Sequence, residues 1–173
     1  ARLISARVRG VTVVCAYFPN GGSLDSEKYP FKLAWMTRLR EVLDQRYHAQ
    51  TDAVALCGDF NVALFDDDIA RPEEWHGGVL ANPDVRGALR HIADFGLTDV
   101  VRPFHPHGGV HTWWDYRAVG FERGNGLRID HVYCTPRLAA TCIGAMVDRV
   151  ERAIDPDKSG PSDHAPVMVE FEA

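Results

Sequence analysis

The chain lacks any long apolar run. None of its 173 residues lies in a segment of about 20 consecutive apolar residues, the length that a membrane-spanning helix needs. The opening residues, ARLISARVRG, contain no apolar h-region of a signal peptide. Repeats, low-complexity tracts and internal domain boundaries are also missing from the pattern. We therefore expect a cytoplasmic protein that has no membrane partner and folds as a single domain over residues 1–173.

Closely spaced cysteines are also absent. The four cysteines, Cys15, Cys57, Cys134 and Cys142, are scattered, and none of them forms a CxxC pair. Three of them lie in apolar, strand-like runs. This distribution favours reduced cysteines in the core of a cytosolic protein over disulfide bonds.

An excess of positive charge is missing as well. The 24 acidic residues outnumber the 19 lysines and arginines, so the formal net charge is −5. Such a balance argues against a non-specific polycationic binder. It does not exclude an enzyme that acts on nucleic acid, because local basic clusters can contact phosphates. Carboxylates that bind a metal ion would also make the formal charge more negative than the working charge.

The chain does contain alternating strand and helix patterns. LISARV and VTVVCAYF flank a turn at Arg9 and Gly10, which predicts a hairpin. TVVCAYF (12–18) and DAVALC (52–57) are near-continuous apolar runs, typical of strands that are buried on both faces. Between them, residues 25–47 carry apolar residues at helical spacing. Strand, helix and strand form a βαβ unit, which predicts an α/β fold with helices packed on a sheet.

The second half of the chain continues this alternation. Residues 83–95 predict a modest amphipathic helix, and Gly96 suits the position just after its end. Three strand candidates follow, LRIDHVYC, TCIGAMVDRV and APVMVEF, and a predicted loop over residues 154–162 separates the last two.

Two loops contain side chains that can bind metals. The acidic run Asp66-Asp67-Asp68 has no fixed ligand spacing, and it predicts a solvated surface loop. The loop over residues 103–126 contains three histidines, but their spacing matches no standard zinc pattern. They are His105, His107 and His111.

Polar side chains gather where the predicted strands begin or end. They are Tyr17 and Asn20 after the first buried strand, Asp59 and Asn61 after the second, Asp130 within LRIDHVYC, and Asp163 and His164 before APVMVEF. Strand ends are where α/β folds collect functional groups. Each short motif alone could be an ordinary turn or cap. The prediction of a functional site therefore depends on their combination and order.

The residue types in this set point to one kind of chemistry. Carboxylate and amide oxygens, with few histidines and no cysteine, suit a hard cation such as Mg²⁺ or Mn²⁺. A histidine beside a carboxylate can be oriented and kept protonated by it, so that it binds a phosphate. Tyrosine and asparagine side chains can donate hydrogen bonds to phosphate oxygens. Together these groups predict metal-assisted attack of water on a phosphodiester.

Four motifs carry a resemblance to a known family. AYFPNG, GDFN, TWWDYRAVGFERGNGLRIDH and PSDHAPV resemble, in this order, segments of exonuclease III. This is the AP endonuclease branch of the endonuclease/exonuclease/phosphatase superfamily, and the likeness runs from about Arg2 to Phe171. GDxN and SDH are shared across the superfamily, whereas the WWDYRA block is much more specific.

The resemblance implies a fold, an activity and a partner. The fold is part of a four-layer α/β sandwich of the deoxyribonuclease I type. The activity is Mg²⁺-dependent (or Mn²⁺-dependent) DNA repair: cleavage of the phosphodiester 5′ to abasic sites and removal of 3′-terminal nucleotides or blocking groups. The partner is double-stranded DNA with abasic sites or 3′ ends. The full-length protein is expected to be a monomer in the bacterial cytoplasm, associated with the nucleoid.

The resemblance also implies catalytic roles. Asp59 positions or deprotonates the attacking water, Asn61 orients it, and Tyr17 hydrogen-bonds the phosphate. His164 contacts the scissile phosphate and Asp130 orients His164, while the choice of general base between Asp59 and His164 stays open. The implied metal ligands are Asp59, Asn61, Asp163 and His164. In the other sequence-adjacent pair, strand alternation turns His131 away from Asp130, which predicts a structural role for His131.

Substrate contacts are implied for a further set of residues. Aromatic faces suit a deoxyribose that has lost its base, and arginines can contact phosphates. The aromatic residues are Trp113 and Trp114, the arginines are Arg117, Arg123 and Arg128, and Asn20 is a helper beside the phosphate.

The chain departs from the family pattern at its start. An Asn-bearing strand and a Glu-bearing strand that carry metal ligands in the family have no counterpart here. We therefore expect that N-terminal strands are missing, that a sheet face is exposed, and that metal affinity is reduced. Two alternatives stay open: an inactive fragment or DNA-binding remnant, and a phosphodiesterase with an RNA, lipid or inositol substrate. The WWDYRA block argues against the second.

Overall fold

The computed structural model describes residues 2–153 and 160–172, and residues 154–159 of the predicted loop lie outside the described residues. The strands are β1 (Leu3–Val8), β2 (Val11–Ala16), β3 (Val54–Asp59), β4 (Thr98–Asp99), β5 (Asp130–Cys134), β6 (Cys142–Val147) and β7 (Val167–Phe171). The helices are α1 (Lys28–Arg46), α2 (Pro72–Trp75), α3 (Pro83–Ala93) and α4 (Pro136–Ala139). The predicted α/β class is confirmed.

The main sheet has five strands in the order β1-β2-β3-β5-β4. β2 and β3 are parallel, which confirms the βαβ unit with α1 as its crossover. β1 and β2 form the predicted hairpin, with Val8 opposite Val11. Its two turn residues, Arg9 and Gly10, have positive φ angles of 49° and 87°, as the turns of tight hairpins require. β5 runs antiparallel to β3, so the start of β5 lies at the end of β3.

α1 and α3 cover one face of this sheet. Their apolar residues meet those of β2 and β3 in one cluster, which includes Val14, Met36, Leu39, Leu43, Leu56, Leu89 and Ile92. α3 begins after Asn82, whose side-chain oxygen accepts hydrogen bonds from the amides of Asp84 and Val85. It ends at Ala93, and Gly96 follows with a φ of 113°. Within the parts of the chain that the structure describes, none of the helices combines the length and apolar character that crossing a bilayer requires.

β6 and β7 form a second, two-stranded sheet. Val169 and Phe171 of β7 pack against buried residues of the main sheet, Ala55 and Cys134, and against Leu138 of α4. The described chain therefore stacks a helical layer, the main sheet and a smaller sheet, in agreement with part of a four-layer α/β sandwich.

The face of the main sheet that points away from α1 is partly open. The expectation that β2 is buried on both faces is wrong, because Val14 and Ala16 are buried whereas Cys15 between them is exposed. All four cysteines carry free thiols, but only Cys134 is fully buried. Apolar side chains are exposed in both sheets, as expected for an uncovered sheet face: Ile4 and Val8 in the main sheet, and Ile143, Met146 and Met168 in the smaller sheet.

The acidic run is not uniformly solvated, in contrast to the prediction. Asp66 is exposed, but the side chain of Asp68 is completely buried. Its carboxylate accepts hydrogen bonds from Arg102, from Arg128 Nε at 2.6 Å and from the Phe65 amide at 3.0 Å. A buried charge needs such partners, and Asp68 finds an arginine 60 positions away in the sequence.

Candidate active site

The site is built where β3 ends and β5 begins. Asp59, the last residue of β3, lies directly opposite Asp130, the first residue of β5. Residues paired in this way on antiparallel strands project their side chains to the same face. Burial raises the pKa of Asp59 to about 6, and the negative charge of Asp130 adds to this rise. Two carboxylates thus share one edge of the sheet, and one of them is poised to take up a proton near neutral pH.

Gly58 allows β3 to approach β2 at this point. Its φ is 127°, and a Cβ atom here would lie 2.3 Å from the carbonyl oxygen of Ala16. No other residue fits, so steric contact explains why the GDFN motif has a glycine at this position. Next to Gly58, the Phe18 amide donates a hydrogen bond to the Asp59 carbonyl oxygen at 2.9 Å. This hydrogen bond joins the loop after β2 to the end of β3.

A chain of hydrogen bonds orients the Asp59 carboxylate. Asn61, in a left-handed conformation with φ of 50°, folds back onto it. The Asn61 amide donates to Asp59 Oδ1 at 2.8 Å, and Asn61 Nδ2 donates to Asp59 Oδ2 at 2.9 Å. Asn20 Nδ2 in turn donates to Asn61 Oδ1 at 3.0 Å. The structure therefore brings together three residues that the sequence analysis selected from two different loops.

His164 completes the group. Its Nδ1 lies 2.8 Å from Asp130 Oδ2. Burial lowers the pKa of His164, but the hydrogen bond and charge of Asp130, with the charges of Asp59 and Asp163, outweigh this and raise it overall. The side chain stays partly exposed, so that its second nitrogen is accessible to a ligand. Asp163 Oδ2 accepts a hydrogen bond from Trp113 Nε1 at 2.9 Å.

Three predicted contact residues differ in exposure. Tyr17 is 51% exposed and follows β2 beside the site, with the Arg2 guanidinium 4.9 Å from its ring centre. Trp114 is only 1% exposed and Arg128 only 2%, so neither side chain is presented to a ligand in this structure, and their substrate contacts stay predictions. Trp114 packs edge-on to Phe121. Arg128 is bound instead by two carboxylates, those of Asp68 and Asp99.

A groove of about 430 Å³ runs from Asn20 past Trp113 to Arg117. Trp75 forms a further part of its wall and meets Trp113 edge to face, with ring centres 5.8 Å apart. Arg117 is highly exposed at this groove and pairs with Asp115, and Arg123 is also exposed. The sequence analysis did not select Trp75. Its local sequence, PEEW in a four-residue helix, carries no signal that distinguishes it from a surface turn.

Lys32 is a second residue that the sequence analysis missed. It is completely buried beneath the site, and burial lowers its pKa to about 7, although the charge of Asp59 opposes this fall. A signal was present, because Lys32 lies at helical spacing among the buried residues of α1, which are Tyr29, Met36, Leu39 and Leu43.

The donor types suit a hard cation. Carboxylate and amide oxygens predominate, and the facing carboxylates of Asp59 and Asp130 create a repulsion that a cation would relieve. Among residues 2–153 and 160–172, however, no three His, Cys, Asp or Glu side chains are arranged to hold one metal ion. The ligands implied by the resemblance, Asp59, Asn61, Asp163 and His164, therefore stay predictions.

Comparisons with known proteins agree with this geometry. Residues 4–164 match the model of the Endonuclease/Exonuclease/phosphatase family. Exodeoxyribonuclease III of Haemophilus influenzae is 33% identical over 170 residues, covering 94% of this chain and 62% of the relative. The structure of an AP endonuclease from Archaeoglobus fulgidus superimposes with a TM-score of 0.92 at 36% identity, covering 99% of this chain and 65% of the other.

A 3′ phosphatase from Neisseria, solved with a product DNA hairpin, superimposes with a TM-score of 0.90 at 40% identity. The match covers 99% of this chain and 65% of the phosphatase. The chain thus spans less than two thirds of the length of each of these relatives. The resemblance found in the motifs is confirmed, and the chain belongs to the endonuclease/exonuclease/phosphatase family.

Proposed function

We propose that the protein is a Mg²⁺-dependent DNA repair phosphodiesterase that cleaves 5′ to abasic sites and trims 3′ ends or 3′ blocking groups. The observation that carries the proposal is the hydrogen bond between Asp130 and His164 beside the Asp59 carboxylate. In this arrangement Asp59 can accept a proton, and His164 beside it can bind a phosphate through its positive charge.

The two pKa shifts separate the roles of Asp59 and His164. His164 is kept protonated by Asp130, and with Nδ1 bound to that carboxylate it can donate from Nε2 to the scissile phosphate. Asp59, with a pKa of about 6, accepts a proton from the attacking water more readily near neutral pH than an ordinary aspartate does. Asn61 fixes the direction of the carboxylate through its two hydrogen bonds. We therefore assign the base to Asp59 and the phosphate contact to His164.

Mg²⁺ or Mn²⁺, when bound, neutralises charge on the phosphate oxygens in this type of chemistry. Asp59, Asn61 and Asp163 are the proposed ligands in this chain. The fourth ligand that the resemblance implies, His164, could bind a metal only as neutral imidazole, because both nitrogens of the protonated ring are donors. Asp163 uses one oxygen to accept from Trp113, and a carboxylate has a second oxygen for other contacts.

DNA is the proposed substrate, for two reasons. The relatives are named as exodeoxyribonuclease and AP endonuclease, and one was solved with a DNA hairpin. The groove beside the site also has two indole walls, Trp75 and Trp113, which suit a sugar that carries no base. Arg117 at the same groove is placed to contact a backbone phosphate.

The test is cleavage of a duplex with a single abasic site by the complete gene product in the presence of Mg²⁺. Cleavage on the 5′ side should be lost on addition of EDTA and in Asp59→Asn. Asp25→Asn is the matched control, because Asp25 is an exposed carboxylate outside the site, and it should cleave normally. Full cleavage by Asp59→Asn would contradict the proposal.

A binding role without catalysis is the second candidate. It is favoured by the incomplete set of metal ligands in the described residues. The 173-residue chain should then shift abasic duplex in a gel without cutting it at any Mg²⁺ concentration. EDTA-sensitive cleavage by this chain would exclude that candidate. A substrate other than DNA would gain support if Trp113→Ala left abasic-site cleavage unchanged.

A further inference from the structure

The ammonium group of Lys32 lies beneath the site with no solvent contact. Its Nζ donates to three backbone carbonyl oxygens, those of Asn61 and Val79 at 2.7 Å and that of Asn20 at 3.1 Å. Gly21 passes directly over the side chain, where a Cβ atom would lie 3.1 Å from Lys32 Cδ. The φ of Gly21 is 99°, a conformation that glycine adopts without strain. The loop is thus shaped around the lysine.

The three acceptors belong to three different segments of the chain around the site. Asn20 lies in the loop after β2, Asn61 in the loop after β3, and Val79 in the segment after α2 that lines the groove. Asn20 and Asn61 are also joined through their side chains, and Asn61 holds the Asp59 carboxylate. One side chain therefore connects the groove wall with the hydrogen-bond chain that orients Asp59.

The chemistry of the contact is unusual for a structural lysine. All three hydrogen-bond acceptors are neutral carbonyls, so none of these contacts compensates the charge as a carboxylate would. A methionine has a similar length and would fill the space without the cost of burying a charge. It would also leave the three inward-pointing carbonyls without a donor. The lysine suits a site in which the positions of the three loops matter more than the stability of the core.

We propose that Lys32 is a positioning residue that fixes Asn20, Asn61 and the groove wall around Asp59, and that it acts on the reaction through them. This inference rests on the proposed function. Its direct consequence is that Lys32 affects the rate of the chemical step more than substrate affinity, because Asn61 orients a reacting group, whereas the side chains proposed to contact DNA, Trp113 and Arg117, are not bonded to Lys32.

The first test compares steady-state cleavage of the abasic duplex by the complete gene product and its variants. Lys32→Met should lower kcat about 100-fold, the effect of a small misplacement of reacting groups, with little change in KM. Lys32→Gln keeps two N–H donors and should lose less. Lys28→Met, an exposed lysine one turn earlier on α1, should match the parent.

A loss of stability alone must be separated from positioning. Leu89→Ala removes a buried side chain between α1 and α3, away from the site, and it should lower the unfolding midpoint without lowering kcat. Asn20→Ala and Lys32→Met should combine to less than the product of their separate effects, because both act through Asn61. A kcat for Lys32→Met equal to that of the parent, or a loss matched by Leu89→Ala, would overturn the inference.

Hydrogen exchange gives a readout that does not depend on cleavage. The Asn61 backbone amide is bonded to Asp59, and its protection should fall about tenfold or more in Lys32→Met, while Leu56 within β3 stays protected. If the parent does not cleave DNA, the proposed function fails, and this measurement still decides the positioning role. If Lys32→Met does not fold, Lys32→Gln is used for both measurements. Unchanged Asn61 protection in a folded variant would contradict the inference.

Discussion

His131 and His164 each follow an aspartate in the sequence, but their surroundings differ in every respect that matters for chemistry. His164 is partly exposed, is bonded to Asp130 and has a raised pKa. His131 is buried against Phe60 and Tyr133, and its Nε2 lies 2.8 Å from the carbonyl oxygen of Val62. Burial lowers the pKa of His131, and the charge of Arg128 lowers it further.

The comparison shows that the working acid–histidine pair is not adjacent in sequence. Asp130 comes from one Asp–His pair and His164 from the other, and 34 positions separate them. Residue types alone would assign both histidines the same role. The environment decides between them, because a carboxylate partner favours the cationic form of His164, whereas burial and the charge of Arg128 favour the neutral form of His131.

Replacing the histidine at the site should have the largest effect. His164→Asn should lower abasic-site cleavage about 1000-fold, since the proposed cationic phosphate contact is lost. Initial rates on the abasic duplex measure this effect. Comparable cleavage by His164→Asn and the parent would show that the working pair has been wrongly assigned.

Removing the aspartate that His164 contacts should have a smaller effect. Asp130→Asn keeps the size of the side chain but removes the charge that raises the pKa of His164, and we expect a loss of about 100-fold. His164 should then deprotonate at lower pH, so the alkaline limb of the pH–rate profile should move towards acid. A profile that keeps its alkaline limb in place would argue against this pair.

Replacing the other histidine should affect stability and leave catalysis nearly unchanged. His131→Leu retains an apolar side chain against Phe60 and Tyr133 but loses the bond to Val62. The expected cost is about 1 kcal/mol of unfolding free energy, measured by urea denaturation, with kcat close to that of the parent. A large fall in kcat at unchanged stability would reverse the assignment of the two histidines.

The smallest expected effect is on the pH dependence of stability, where the two histidines act in opposite directions. The folded-state pKa of His164 is raised, so its stabilising contribution is complete below about pH 6.5 and is lost as the pH rises through the folded-state value. The pKa of His131 is lowered, so its contribution is present above about pH 6.5 and is lost as the pH falls.

Urea midpoints between about pH 5 and pH 8 test this difference. Relative to the parent, His131→Leu should lose less stability on acidification, and His164→Asn should lose more. Parallel curves for the two variants would contradict the opposite shifts.

The sequence predicted those parts of the molecule that depend on local periodicity. The hairpin, the βαβ unit and α3 follow from apolar spacing and turn residues, and all are confirmed. The alternation of side chains along a strand also placed His131 away from the site. The motif resemblance selected Asp59, Asn61, Asp130 and His164, which the structure brings together.

The sequence did not predict the partners that bury two of the selected residues. Trp114 was expected at the DNA, but Phe121 and the Arg149 guanidinium cover its ring. Arg128 was expected at a phosphate, but Asp68 and Asp99 bind it inside the protein. A charged or aromatic residue can contact a ligand or can pack inside the protein, and its type does not say which. Only its partners in the folded structure distinguish these two roles.

The close contact at Gly58 predicts which substitutions this position tolerates. Because the carbonyl of Ala16 occupies the place of any side chain at this position, every missense change there must push β2 away from β3. Tyr17 directly follows β2 and Asp59 is the last residue of β3, so the spacing between them depends on the absence of a Cβ atom at position 58. In a saturation library selected for function, position 58 should accept only glycine, while the neighbouring Cys57, whose side chain is only partly buried, should accept several small residues.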